Sequence, residues 1–192
     1  MDLIFATNNL HKLEEIKAKV DSTYNIIGLK EKGIVEEIPE THETLEENAI
    51  EKAMYIYEKY GCDCFADDTG LEIDGLDGKP GVYSARYAGE NCSFKDNVNK
   101  VLNEMQEMQN RKAKFRTVIA LVEKGEVYTF EGEVAGSIIA DERGTDGFGY
   151  DPIFLPDGYD ETFAEMALTL KNTISHRGRA MQKFVQFLEQ RK

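Results

Sequence analysis

Residues 65–89 read FADDTGLEIDGLDGKPGVYSARYAG. A short apolar approach, Phe65-Ala66, meets two adjacent carboxylates, Asp67 and Asp68. The small hydroxyl residue Thr69 and a glycine, Gly70, follow, and Leu71-Glu72-Ile73-Asp74 then alternates apolar with polar. The pattern predicts a strand that ends in an acidic turn, with a second strand leaving it. Carboxylates held at a strand end can share a hard divalent cation, and a neighbouring hydroxyl and glycine let a phosphate come close. Alone, DDTG reads first as a β-turn with solvated aspartates. The rest of the chain shifts that balance.

Outward from this stretch, the elements alternate in type. A strand over Leu3–Ala6 runs into Thr7-Asn8-Asn9, and a helix follows with Leu13, Ile16 and Val20 on one face. Residues 26–29 form a candidate second strand. A long helix is expected from Leu45 to Tyr60, stopped by Gly61. Another is expected over Phe94–Met108. The β-branched and aromatic runs 115–123 and 126–140 predict a hairpin turning at Lys124-Gly125. A glycine-rich loop, 144–151, follows. The C-terminal helix, 177–190, carries Met181, Phe184, Val185 and Leu188 as an apolar stripe. Hairpin-like and crossover-like connections together indicate an α/β protein with a mixed sheet.

At 192 residues, 41% hydrophobic and 31% charged, the chain can bury one substantial core, and it is read as a single domain over residues 1–192. No apolar run approaches a membrane span. The amino-terminal residues lack a signal peptide's basic and apolar regions. Three cysteines without zinc spacing fit reduced thiols in a cytoplasmic protein. A net charge of −13 argues against a nucleic-acid binder, although a few converging cations or Mg²⁺ would still let the protein hold a small anion.

Several loops carry groups suited to such an anion. Thr7, Asn8, Asn9, Leu10, His11 and Lys12 link a strand to a helix N-terminus, a plausible phosphate seat that is also an ordinary helix cap. No Walker A loop occurs. Glu40 follows Pro39, with other glutamates close by as competitors. Asn48 and Lys52 share a helical face, and Lys52 could reach a phosphate; a surface Glu/Lys helix accounts for it as readily. In GTDGFGYDPIF, glycines permit close approach, Phe148 and Tyr150 offer stacking faces, and Asp151 can accept hydrogen bonds. Lys171, His176 and Arg177 gather cationic donors just ahead of the C-terminal helix, where acids are normally favoured.

In order, FATNNLHKLEEIK, IPE with ENAIEKA, ADDTGLEIDGLDGKPGVYSARYAG, GTDGFGYDPIF, TFAEM and KNTISHRGRA resemble the inosine/xanthosine triphosphate pyrophosphatases, from Phe5 to Ala180. One small departure is Thr69, where many members carry serine. The resemblance implies an elongated mixed β-sheet flanked by helices, two lobes with a central substrate cleft, and a homodimer. It implies Mg²⁺-dependent hydrolysis of ITP, dITP or XTP to the monophosphate and pyrophosphate, with attack at the α-phosphorus. Carried over by residue, Thr7 to Lys12 would hold the triphosphate. Glu40 and Asp68 would ligate Mg²⁺, and Asp68 would also serve as base. Thr69, Phe148, Gly149, Tyr150, Asp151, Lys171, His176 and Arg177 would contact the substrate.

The chemistry agrees with those roles, because attack on a polyanion needs neutralised charge and an oriented water. Hypoxanthine and xanthine carry an oxygen at position 6 where adenine has an amino donor. Donors from His176 and Arg177 would therefore reject ATP. GTP shares the oxygen, so selection against it lies at position 2. Two alternatives compete. A metal-dependent phosphatase or nuclease would use Asp67 and Asp68, but a haloacid-dehalogenase-type phosphatase wants an aspartate two residues from its nucleophile. A non-catalytic nucleotide-binding protein would bind without turnover.

Overall fold

The computed structural model describes residues 1–191, with His11 and Glu15 described by their backbone alone. The first half runs β1 (Asp2–Phe5), α1 (Leu10–Lys19), β2 (Asn25–Gly28), α2 (Leu45–Tyr60), β3 (Cys64–Ile73) and β4 (Pro80–Gly81). The second half runs α3 (Phe94–Glu104), β5 (Lys112–Glu123), β6 (Glu126–Ile138), β7 (Phe154–Pro156), α4 (Leu168–Ile174) and α5 (His176–Glu189). The strands form one mixed sheet in the order β2-β1-β3-β5-β6-β7, with β4 on β3. β1 runs parallel to both β2 and β3, whereas β4 and β7 pair antiparallel with β3 and β6. A parallel β1–β3 pair needs a crossover, and α1 and α2 both lie on that connection. β5 turns into β6 through Lys124 and Gly125, both at positive φ, as a two-residue hairpin requires. The α/β class and the mixed sheet read from the sequence are thus present.

The chain divides into two compact units. The first comprises Met1–Asp68, Val118–Glu131 and the chain from Ala180 on; the second comprises Thr69–Thr117 and Gly132–Arg179. In the first unit, Leu3, Phe5, Ile16, Phe65, Ile119, Leu121, Phe184 and Leu188 form the core. Phe5 stacks on Phe65 with ring centroids 4.3 Å apart, and Phe65 meets Phe184 at 4.8 Å. The predicted α5 stripe supplies Met181, Phe184 and Leu188 to this core. In the second unit, Leu71, Ile73, Val98, Val101, Met105, Phe115, Phe154 and Phe163 do the same work.

Four expectations about the elements need correction. The acidic stretch is not a turn between two strands: β3 runs unbroken from Cys64 to Ile73 through Asp67, Asp68, Thr69 and Gly70. Polar side chains are tolerated mid-strand here because each finds a partner. Asp67 and Asp68 pair with separate lysines, and the Thr69 hydroxyl lies 2.8 Å from that of Thr117. The helix expected to reach Met108 stops at Glu104. Met105 turns into the core instead, and its carbonyl accepts from the Arg111 guanidinium at 2.9 Å. β6 ends at Ile138 rather than residue 140, where the Ile138 and Ile139 carbonyls are taken by the same arginine. Finally, the C-terminal helix begins at His176 rather than at residue 177, so His176 joins Arg177 in its first turn. The Ser175 hydroxyl caps that turn by accepting the Gly178 N–H at 3.1 Å.

Candidate active site

In the first unit, the Thr7–Lys12 segment opens α1. Asn9 is the cap, its side chain accepting the Lys12 N–H at 3.2 Å, and Thr7 Oγ1 accepts the Asn9 N–H at 3.2 Å. Asn8, Asn9 and Leu10 are exposed, and the first turn holds no acid. A helix N-terminus without an acid in its own first turn can offer backbone N–H groups to an anion. The side chain of His11 lies outside the described residues. Lys12 reaches across to β3, where its Nζ sits 2.6 Å from Asp67 Oδ2.

Successive strand residues point to opposite faces, so Asp67 and Asp68 serve different partners. Lys52, buried on α2, places its Nζ 3.3 Å from Asp68 Oδ1 and 2.5 Å from Glu40 Oε1. Glu40 lies in a loop, yet the loop is pinned. Asn48 on α2 accepts the His42 N–H at 2.9 Å and donates to the His42 carbonyl at 3.2 Å. Glu51 accepts both the backbone N–H and the hydroxyl of Thr41 at 2.8 Å. One turn of α2 therefore fixes the two residues that follow Glu40.

Electrostatics follow from that geometry. Burial pushes the Asp68 carboxyl above the ordinary aspartate range; Lys52 opposes the rise, while Glu40 and Asp67 add to it. Burial alone would weaken the Lys52 charge, but Asp68, Asp67 and Glu40 together hold its pKa above that of an ordinary lysine. Among the described residues no three His, Cys, Asp or Glu side chains gather into a metal cage. Two carboxylates, Glu40 and Asp68, do aim at one cationic point. That is the donor set Mg²⁺ uses, since it keeps most of its waters and takes one or two carboxylates.

In the second unit, the glycine-rich loop is organised by Asp151. Its buried carboxylate oxygen Oδ2 accepts the Phe148 N–H at 2.8 Å and the Lys171 ammonium at 2.5 Å. Gly147 sits at φ +82°, and a Cβ there would fall 2.2 Å from that oxygen, so only glycine fits. Tyr150 is buried and donates its hydroxyl to the Ser84 carbonyl at 2.8 Å; burial holds its pKa above the usual tyrosine value. Phe148 is 51% exposed, with the Arg177 guanidinium and the Lys171 ammonium each 5.3 Å from its ring centre. His176 stacks on Phe115 at 4.6 Å and 12°. Arg177 Nε is buried without a hydrogen-bond partner among the described residues, a donor held ready for an acceptor. Gly178 lets α5 pass close to α4, where a Cβ would meet the Asn172 carbonyl at 2.0 Å.

Residues 3–187 match the Ham1 family. The chain belongs to that family. It is 51% identical over 188 residues to a dITP/XTP pyrophosphatase of Flavobacterium johnsoniae, covering 98% of each chain. Identity to the dITP/XTP pyrophosphatase of Porphyromonas gingivalis is 50% over 187 residues, 97% of this chain and 96% of the relative. The Ham1 protein of Staphylococcus aureus superimposes over the whole of both chains with a TM-score of 0.95 at 39% identity. A structure described as nucleoside-triphosphatase / dITP/XTP pyrophosphatase from Mycobacterium abscessus gives 0.84 at 37% identity, over 96% of this chain and 99% of that one. The family resemblance drawn from the motifs is therefore borne out, as is the fold class.

Within this Ham1 protein, each unit gathers its own share of the sequence candidates. Thr7, Asn8, Asn9, Leu10, Lys12, Glu40 and Asp68 belong to the first, and Thr69, Phe148, Gly149, Tyr150, Asp151, Lys171, His176 and Arg177 to the second. Sequence spacing left Lys52 undecided between a phosphate contact and a surface helix. It is buried and holds Glu40 to Asp68. Its signal was the shared face with Asn48, itself 2% exposed. Asp67, whose part the sequence left open, anchors Lys12.

Proposed function

We propose that this chain hydrolyses non-standard purine nucleoside triphosphates, ITP, dITP and XTP, to the monophosphate and pyrophosphate, and so clears them from the nucleotide pool. The observation that carries this reading is the Glu40–Lys52–Asp68 constellation, built around the buried Lys52, in a chain whose relatives are named dITP/XTP pyrophosphatases. Asp68 acts as the base. A carboxylate whose pKa is raised by burial accepts a proton from an attacking water more readily than a solvated aspartate does. Lys52 keeps that carboxylate oriented. Lys12, steadied by Asp67, and the N–H groups of α1's first turn neutralise the triphosphate. Mg²⁺, held by Glu40 and Asp68, would supply the remaining charge neutralisation on the phosphates when bound.

The base belongs with the second unit's residues. Phe148 offers its exposed ring for stacking, and Arg177 Nε and His176 donate to the oxygen at position 6. Adenine would place an amino donor against those donors, which disfavours ATP by a large factor. Asp151 and Lys171 serve this part through the Phe148 loop that they hold in place. Thr69 and Tyr150 complete the proposed substrate contacts. We further propose that the two units work as one catalytic domain, that the protein acts in the cytoplasm as a homodimer, and that it binds no nucleic acid. No helix among the described residues is long and apolar enough to cross a membrane.

Initial rates with Mg²⁺ and, separately, ITP, dITP, XTP, GTP and ATP test the proposal. Turnover of the first three with GTP and ATP nearly untouched supports it; equal turnover of all five refutes the assigned base recognition.

A further inference from the structure

Phe94 is the first residue of α3, and 58% of it is exposed. It stands one turn ahead of Val98 on the apolar stripe that continues through Val101 to Met105 in the second unit's core. The stripe therefore extends a turn beyond the buried core it serves. What Phe94 does meet is Phe148: the ring centres lie 6.3 Å apart, tilted by 46°. The two residues differ in how firmly their backbones are held. Phe148 sits between Gly147 and Gly149, both at positive φ, in a loop of permissive residues. Phe94 follows Ser93, whose side chain accepts the Asp96 N–H while Asp96 accepts the Ser93 N–H, a reciprocal capping box that locks the first turn.

We infer that Phe94 is a positioning residue for purine recognition, bracing the Phe148 ring from a rigid helix start so that it presents a fixed face to the base. The inference rests on the proposed function and adds a residue outside every motif that suggested it. Two touching aromatic rings left in water are poorly covered, and a planar purine laid on Phe148 would shield both. Asp151 fixes the same residue from the other side through its backbone N–H. Phe148 is thereby held at both main chain and ring. The phosphate-binding residues of the first unit have no part in this contact, so its loss should be felt by the base alone.

The experiment compares wild type with Phe94→Ala and Phe94→Tyr, measuring by calorimetry the binding of IMP and, separately, of pyrophosphate, together with kcat and KM for ITP. An edge-tilted aromatic pair is worth roughly three- to tenfold in binding. F94A is expected to weaken IMP binding and raise KM by about that factor, with pyrophosphate binding and kcat held and F94Y restoring IMP binding. Unchanged IMP binding in F94A would overturn the inference, and so would equal weakening of IMP and pyrophosphate, which marks general damage to the fold. Failure of the proposed function has a separate signature: wild-type protein would leave ITP intact and fail to bind IMP, and the inference would fall with it.

Discussion

Replacing Lys52 with methionine keeps most of the side-chain volume and removes the charge that Glu40 and Asp68 share. Glu40, about a third exposed, can turn to solvent and loses little. Asp68 cannot: its side chain is 14% exposed and already costly to ionise. Stranding a buried charge by removing its partner typically costs about 3–5 kcal/mol. The carboxylate can escape that penalty by taking a proton. From a reference pKa of about 3.9, protonation costs about 4 kcal/mol at pH 7 and about 1.5 kcal/mol at pH 5, at about 1.4 kcal/mol per pH unit. The loss of stability relative to wild type should therefore be about 3–4 kcal/mol at pH 7, shrinking to about 1.5 kcal/mol at pH 5. The sign is fixed by the direction of the shift. In K52M the folded chain keeps a proton on Asp68 that the unfolded chain has released, so its stability falls as pH rises above the unfolded aspartate's pKa. Urea unfolding of both proteins at pH 5 and 7 measures the difference. A loss under about 1 kcal/mol, or one that does not change with pH, would refute the buried-pair reasoning.

Asp68→Asn removes the proposed base and a proposed Mg²⁺ ligand together; kcat for ITP should fall by about 10²–10⁴-fold, with far-UV circular dichroism unchanged. A drop of only a few-fold would move the base elsewhere. Asn48→Ala cuts both hydrogen bonds to the His42 backbone and should cost about 1–3 kcal/mol in urea unfolding. Because the same bonds hold Glu40's loop, the Mg²⁺ concentration for half-maximal rate should rise several-fold; an unchanged Mg²⁺ requirement would separate Asn48 from the proposed Mg²⁺ site.

Long elements and motif order were legible in the sequence. The helix read as Leu45–Tyr60 is α2 to the residue, because Thr44 caps one end and Gly61, at φ +62°, closes the other. What escaped was of two kinds. β4, β7 and α4 are two, three and seven residues long, too short for periodicity to register, and they form because the chain around them is already placed. The second kind depends on partners remote in sequence. Asp67-Asp68 looked like a turn because polar pairs usually are. It is strand because Lys12, 55 residues away, and Lys52, 16 away, neutralise the two faces separately. Likewise the sequence marked Asp151 only as an acceptor, and its two partners in the fold, Lys171 and the Phe148 N–H on the same carboxylate oxygen, could not be read from spacing. Phe94 carried no motif at all, and only its contact with Phe148 gives it meaning.

The most direct measurement takes ITP, Mg²⁺ and the purified protein and quantifies pyrophosphate, orthophosphate and nucleotide products against time. The proposed chemistry predicts one pyrophosphate and one IMP for each ITP consumed, with no orthophosphate and no IDP. Orthophosphate released with IDP would place cleavage at the outer phosphate and contradict the account.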